Sequence, residues 1–161
     1  MSKTEVKILT QEAATAQIQT WKNEGLEVVF TNGCFDIVHL GHIDYLEKAA
    51  SLGQKMVVGL NSDASVSRLK GQSRPINPQY ARARLLAALS FVDLVVLFEE
   101  DTPFSLISNL LPNVLVKGND YQIENIVGAD VVLAHGGKVK TIPLVDGYST
   151  TSIIQKMSNT N

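Results

Sequence analysis

The stretch TNGCFDIVHLGH, Thr31 to His42, gathers the chain's only cysteine, an aspartate, two glycines and two of the three histidines. His39 and His42 are three positions apart, so on a helix they share a face and can each donate a hydrogen bond to one phosphate. Gly33 permits a tight turn, and Gly41 lets backbone come close to a ligand where a helix begins. A helix start also presents free N–H groups to an anion. Other chemistries fit parts of the stretch. Two histidines near a helix start also serve as caps or solvent-facing residues. A zinc site needs three or four ligands, and Cys34 with the remote His135 does not complete a set, so no metal ligand is assigned. Cys34 has no base specified beside it and reads as structural rather than as a nucleophile.

Three further polar stretches have the same character. RLKGQSRP, Arg68 to Pro75, brings Arg68, Lys70 and Arg74 together on a glycine-containing segment that reads as a mobile loop suited to oxyanions, or as a solvated surface loop. VKGNDY, Val116 to Tyr121, offers Lys117, Asn119 and Asp120 to a nucleotide or metal, or forms a tight polar turn. DGYSTTSIIQKM places Ser149, Thr150 and Thr151 at a helix start, a second anion site that is compatible with simple capping by Ser149.

The elements that must position these residues are legible as short apolar runs. EVVF (27–30), KMVVGL (55–60), LVVLF (94–98), NVLV (113–116) and KVKTIPL (138–144) read as strands, and runs without alternation suit strands buried on both faces. Helical patterns alternate with them: TQEAATAQIQTWKNEG with Thr10 as cap, HIDYLEKAASLG, NPQYARARLLAALSFV with Asn77 as cap, and TPFSLISNLLP. The first is expected to pack outside the sheet with Trp21 exposed. Such alternation implies an α/β fold, a Rossmann-like open sheet of about five parallel strands with helices on both faces, and ligands at the carboxyl ends of the strands. All four polar stretches follow a strand or begin a helix. Together they describe a polyphosphate pocket.

The 161 residues, 45% of them hydrophobic, suit one domain: a helix over about 10–24 and a core over about 26–157. A formal net charge of −2 without long basic runs argues against nucleic acid or an acidic membrane surface as partner. One cysteine, no signal-peptide pattern and no apolar run near the roughly 20 residues of a membrane helix lead to the expectation of a soluble, cytoplasmic protein. Neither G-x-x-x-x-G-K-[ST] nor G-x-G-x-x-G occurs after the first strand, which disfavours P-loop kinases and ordinary dinucleotide dehydrogenases.

TNGCFDIVHLGH with STTSII resembles the cytidylyltransferase-like nucleotidyltransferases, whose signature is H-x-G-H and whose fold is Rossmann-like. Within them the ordered set FTNGCFDIVHLGHIDYLEKAASLG, NSDASVSRLKGQSRPINP, FEEDTP, LVKGNDY and GYSTTSII is similar to the bacterial heptose 1-phosphate adenylyltransferases. The chain departs from them at Asn119, where they often carry a further glycine. It also lacks the arginine that CTP-dependent glycerol 3-phosphate enzymes often have before the last motif. The resemblance implies transfer of AMP from ATP to a sugar 1-phosphate, with the CTP-dependent polyol-phosphate enzymes and a non-catalytic nucleotide-sensing domain as alternatives. It implies His39, His42 and Lys70 as catalytic residues. Thr31, Asn32, Gly33, Cys34, Phe35, Gly41, Lys117, Gly118, Asp120, Ser149, Thr150 and Thr151 would bind the nucleotide, while Asp36 would orient the loop. Arg74 and Arg82 are candidates for a substrate phosphate, Arg82 alternatively pairing on a helix surface. Magnesium bound with ATP and a homodimer complete what it implies.

Overall fold

The computed structural model describes residues 1–160. Six strands form one all-parallel sheet: β1 (Ile8–Leu9), β2 (Val28–Gly33), β3 (Lys55–Asn61), β4 (Leu94–Phe98), β5 (Val114–Gly118) and β6 (Lys138–Ile142), in the order β1-β4-β3-β2-β5-β6. The expected five strands are present. The sixth, β1, pairs only Ile8 and Leu9 with Val95 and Val96, too short a run to leave a periodic signal.

Six α-helices lie between the strands, α1 (Gln11–Asn23), α2 (Leu40–Ala50), α3 (Asp63–Lys70), α4 (Gln79–Ala87), α5 (Phe104–Leu110) and α6 (Ala129–Ala134), and α7 (Thr150–Ser158) follows the last strand among the described residues. Successive strand residues point to opposite faces, and both faces are covered. Val28, Phe30, Val57 and Leu115 pack with Ala14 and Ile18 of α1, Leu106 and Ile107 of α5 and Val132 of α6. Val29, Met56, Val58 and Val116 pack on the other side with Leu46 of α2 and Leu86 of α4. That two-sided burial is why the strands read as unbroken apolar runs.

Three expectations need correcting. Helix α1 is seated on the sheet rather than outside it, with Ala14 and Ile18 fully buried and Trp21 half-buried under Lys55, whose Nζ lies 5.1 Å from the ring centroid. Arg68 and Lys70 belong to the last turn of α3, not to a loop. Ser62 caps that helix by accepting from Ser65 N–H at 3.2 Å, and its polar composition hides it from an apolar-pattern reading. Helix α4 begins at Gln79 with Pro78, not Asn77, at its cap position.

Strand β2 is the topological switch. The chain passes from β2 to β3 on one side and enters β5 on the other, so the loops after β2 and β5 diverge and leave a crevice at their carboxyl ends.

Candidate active site

A cleft of roughly 690 Å³ opens at that crevice. Its floor is the segment after β2, where Gly33 leads through Cys34, Phe35 and Asp36 into α2. A side chain at Gly33 would put its Cβ 2.9 Å from the Phe35 ring, so the turn is built around the absence of one. The Asp36 carboxylate accepts from Ile76 and Asn77 N–H, each at 2.9 Å, and from Arg74 Nε at 2.6 Å. Burial alone would raise this carboxyl, but the hydrogen bonds hold it below its ordinary range, so Asp36 is a fixed anion fastening the segment after α3 to the floor.

His39 occupies the cap position of α2 in extended conformation, yet its side chain caps nothing. The helix start is left open toward the cleft. The His39 and His42 rings stack at 3.8 Å between centroids, and Phe35 meets His42 edge-on at 5.0 Å. Both histidine Nδ1 atoms are buried without a hydrogen-bond partner, as is Oδ1 of Asn32, which lines the same cleft. Buried polar atoms are rarely left so, and three on the lining of one cleft mark a place that receives polar atoms from outside the chain. Burial, and secondarily the neighbouring His39, holds His42 down at about 4, while burial lowers His39 as well. Both rings are therefore neutral near pH 7, each with one N–H to donate.

Across the cleft, Lys117 is half-buried, with its Nζ 3.4 Å from Asn32 O and 5.4 Å from the Tyr121 ring centroid. Burial lowers it, against the attraction of Asp120. Ser149 caps α7 by accepting from Ser152 N–H at 3.0 Å, and Thr150 Oγ1 donates to Ile37 O at 3.4 Å, bringing this helix start against the histidine segment. Lys70 lines the cleft from the end of α3 with its side chain exposed, and Arg74, largely buried against Asp36, lines it from the segment that follows. Burial pushes the Cys34 thiol up, against the pull of Lys70, Arg82 and Arg74, which fits a structural cysteine rather than a nucleophile.

The cleft thus brings together Asn32, Gly33, Cys34, Phe35, His39, Gly41, His42, Lys70, Arg74, Lys117, Gly118, Asp120, Ser149, Thr150 and Thr151. Two candidates lie elsewhere. Thr31 is fully buried, its hydroxyl bridging Tyr45 Oη at 2.7 Å and Val116 O at 2.9 Å. Arg82 is neither on the cleft nor on a helix surface: it is completely buried beneath the floor and engaged there. Tyr148, its ring 6.3 Å from that of His39, and Asn61 at the end of β3 also line the cleft; both fall inside quoted stretches, GYSTTSII and NSDASVSRLKGQSRPINP, without being singled out there, and what distinguishes them is position, at a helix entry and a strand end.

The sequence profile described as cytidylyltransferase-like matches residues 30–156, which include every cleft residue named above. The chain belongs to this family. The bifunctional protein HldE of Magnetococcus marinus is 55% identical over 152 residues, covering 94% of this chain and 31% of that protein. The HldE of Mesorhizobium japonicum is 57% identical over 150 residues, covering 93% and 30%. The chain therefore spans about a third of the length of these relatives. Among solved structures, a lipopolysaccharide core biosynthesis protein from Thermoplasma volcanium matches with TM-score 0.59 and 28% identity over 78% of this chain and all of its own. Pantoate-β-alanine ligase from Francisella tularensis matches with TM-score 0.59 at 17% identity, covering 94% of this chain and 76% of that one, and shares the fold. None of the helices among the described residues is long and apolar enough to cross a membrane.

Proposed function

We propose that this member of the family is an adenylyltransferase that joins ATP and a sugar 1-phosphate, D-glycero-D-manno-heptose 1-phosphate, to give the ADP-sugar and pyrophosphate. The observation that carries the reading is the stacked, neutral histidine pair with two unpartnered buried nitrogens at an uncapped helix start. The identity to the HldE proteins and the likeness to a lipopolysaccharide core biosynthesis protein support a sugar-phosphate acceptor.

In this reading a phosphate oxygen of the sugar forms a bond to the α-phosphorus of ATP while the bond from that phosphorus to the bridging oxygen breaks, and pyrophosphate leaves with the electron pair. No covalent intermediate on the chain is needed, so positioning and charge stabilisation do the work. His39 and His42 donate to the phosphates where negative charge shifts toward the leaving group. Lys70, on an exposed helix end, neutralises the phosphates, and Arg74 takes the acceptor's phosphate with whatever donors Asp36 leaves free. The backbone of Asn32 to Phe35, with Gly41, Lys117, Gly118, Asp120 and Ser149 to Thr151, encloses the nucleotide. Among the described residues no three histidine, cysteine or carboxylate side chains gather at one point, so the chain itself does not fit as a cage for magnesium. The metal is proposed to arrive on the nucleotide's own oxygens, and no step is assigned to it. The proposal extends to one nucleotidyltransferase unit forming a homodimer, for which light scattering is the test.

The deciding assay is pyrophosphate release with magnesium, offering ATP or CTP against heptose 1-phosphate, glycerol 3-phosphate or no acceptor. Release from ATP only with heptose 1-phosphate is expected. Preference for CTP with glycerol 3-phosphate, or nucleotide binding with no turnover for any pair, would overturn the reading.

A further inference from the structure

Arg82 is the largest fully buried side chain among the described residues, and it stands on the inward face of α4 with Ala83, Leu86 and Ala87, where every other buried residue of the helix is apolar. Its hydrogen bonds are all made to the frame of the cleft. Nε donates to Asn77 O at 2.9 Å; Nη1 donates to Cys34 O and to Asn61 O, both at 2.8 Å; Nη2 donates to Asp63 Oδ1 at 2.8 Å. One planar fork therefore ties the floor after β2, the end of β3, the first residue of the helix carrying Lys70, and the segment that follows Arg74. Lysine cannot replace it, because a point charge on a flexible stem does not offer fixed donors in these directions.

The bond to Cys34 O has a geometric corollary. In a trans peptide the C=O and the next N–H point in opposite directions. With Cys34 C=O turned down to Arg82, Phe35 N–H points the opposite way, away from that guanidinium, and both residues line the cleft. That N–H has no backbone acceptor among the described residues. Phe35 itself sits at φ 44°, a left-handed conformation that costs a non-glycine residue of order 1–2 kcal/mol and persists only where the surroundings impose it. Its neighbours on both sides are held: Cys34 O from below by Arg82, and the Asp36 carboxylate by Arg74, Ile76 and Asn77, while the Phe35 ring meets His42 edge-on at 5.0 Å.

We propose that Arg82 is a positioning residue: from beneath the floor it holds the Cys34–Phe35 peptide so that Phe35 N–H donates to a nucleotide phosphate, and it fixes the Lys70 helix against that donor. This rests on the nucleotidyltransferase reading and assigns Arg82 a role without contact to substrate.

The test uses the whole chain, α,β-methylene ATP with magnesium, and amide NMR. In the wild type, Phe35 N–H is expected to move downfield on saturation, together with shifts at Gly118 and Thr151 across the cleft. In Arg82→Lys the Phe35 shift is expected to vanish while those of Gly118 and Thr151 remain. The dissociation constant should weaken roughly tenfold to a hundredfold, the scale of one charge-assisted hydrogen bond. Asp63→Ala, at a side chain 43% exposed, loosens the far end of the fork without emptying the core and is expected to diminish the Phe35 shift in the same sense with the fold intact. If Arg82→Lys does not fold, Asp63→Ala decides. Retention of the full Phe35 shift in a folded Arg82→Lys or in Asp63→Ala, or equal loss at all three amides, would overturn the proposal. A wild type in which Gly118 and Thr151 respond but Phe35 does not would also overturn it. No response at any of the three would instead overturn the nucleotidyltransferase reading on which it rests.

Discussion

His42 makes stability depend on pH in a direction and amount that the site fixes. Burial, and then the neighbouring His39, brings its pKa from an ordinary 6.5 to about 4, so the fold prefers the neutral ring and the unfolded chain binds the proton more readily. The stability associated with the neutral ring is complete above 6.5 and is lost as pH falls through the window from 6.5 toward 4. Linkage over that window gives a loss of about 2 kcal/mol on going from pH 7 to pH 5, because one pKa unit is worth about 1.4 kcal/mol. His39, lowered by burial as well, acts in the same sense. The perturbation is His42→Gln, which removes the titrating group and keeps a polar side chain of similar reach. Urea unfolding followed through Trp21, the only tryptophan and half-buried against the core, reads the difference at each pH. The wild type should lose about 2 kcal/mol more than the variant between pH 7 and pH 5. Parallel curves for the two proteins would refute the claim that the site holds His42 neutral, and with it the assignment of neutral donors at the cleft.

Other consequences are more local. Lys70→Ala, at an exposed helix end, should change unfolding stability by no more than about 0.5 kcal/mol while lowering turnover roughly tenfold to a thousandfold, measured by pyrophosphate release at saturating ATP. Thr31→Val removes a buried hydroxyl that bridges Tyr45 and Val116 and leaves Tyr45 Oη without that partner, which should cost about 1–3 kcal/mol in denaturant unfolding. Gly59→Ala would place a Cβ 2.7 Å from the Phe30 ring in the middle of β3, and the overpacking should cost about 1–3 kcal/mol and lower the melting temperature.

How much of this was legible in the sequence follows from which forces act locally. The five longer strands announce themselves because each is buried on both faces, which writes an apolar run of the right length into the chain. Helices α3 and α6 and the two-residue β1 escape because they are short or polar and are held by tertiary contacts and caps instead of by a strong apolar stripe. The cleft residues were readable because polar motifs placed directly after apolar strands must meet where a parallel sheet ends. Thr31 was misplaced by its motif, although strand alternation already puts it on the face of Val29, in the core and off the cleft.

Arg82 shows where such reading stops. In QYARARLLA the two arginines stand two positions apart on a short helix, and composition alone puts arginine at the surface. Arg84 meets that expectation, pairing with Glu5 at 3.5 Å near the surface. Arg82 does not, because what makes its burial tolerable is a set of backbone carbonyls from Cys34, Asn61 and Asn77, between five and 48 residues away in the chain. Carbonyls carry no sequence identity, so no pattern of side chains announces them. A buried cation satisfied mainly by main-chain oxygens stabilises one arrangement of those segments over its neighbours, since any shift of the floor or of α3 leaves donors unpaired in the interior at a cost of about 1–3 kcal/mol each. In a site whose proposed work is done by geometry instead of covalent chemistry, that penalty on displacement is the physical link between an arginine no substrate touches and the phosphate donors above it.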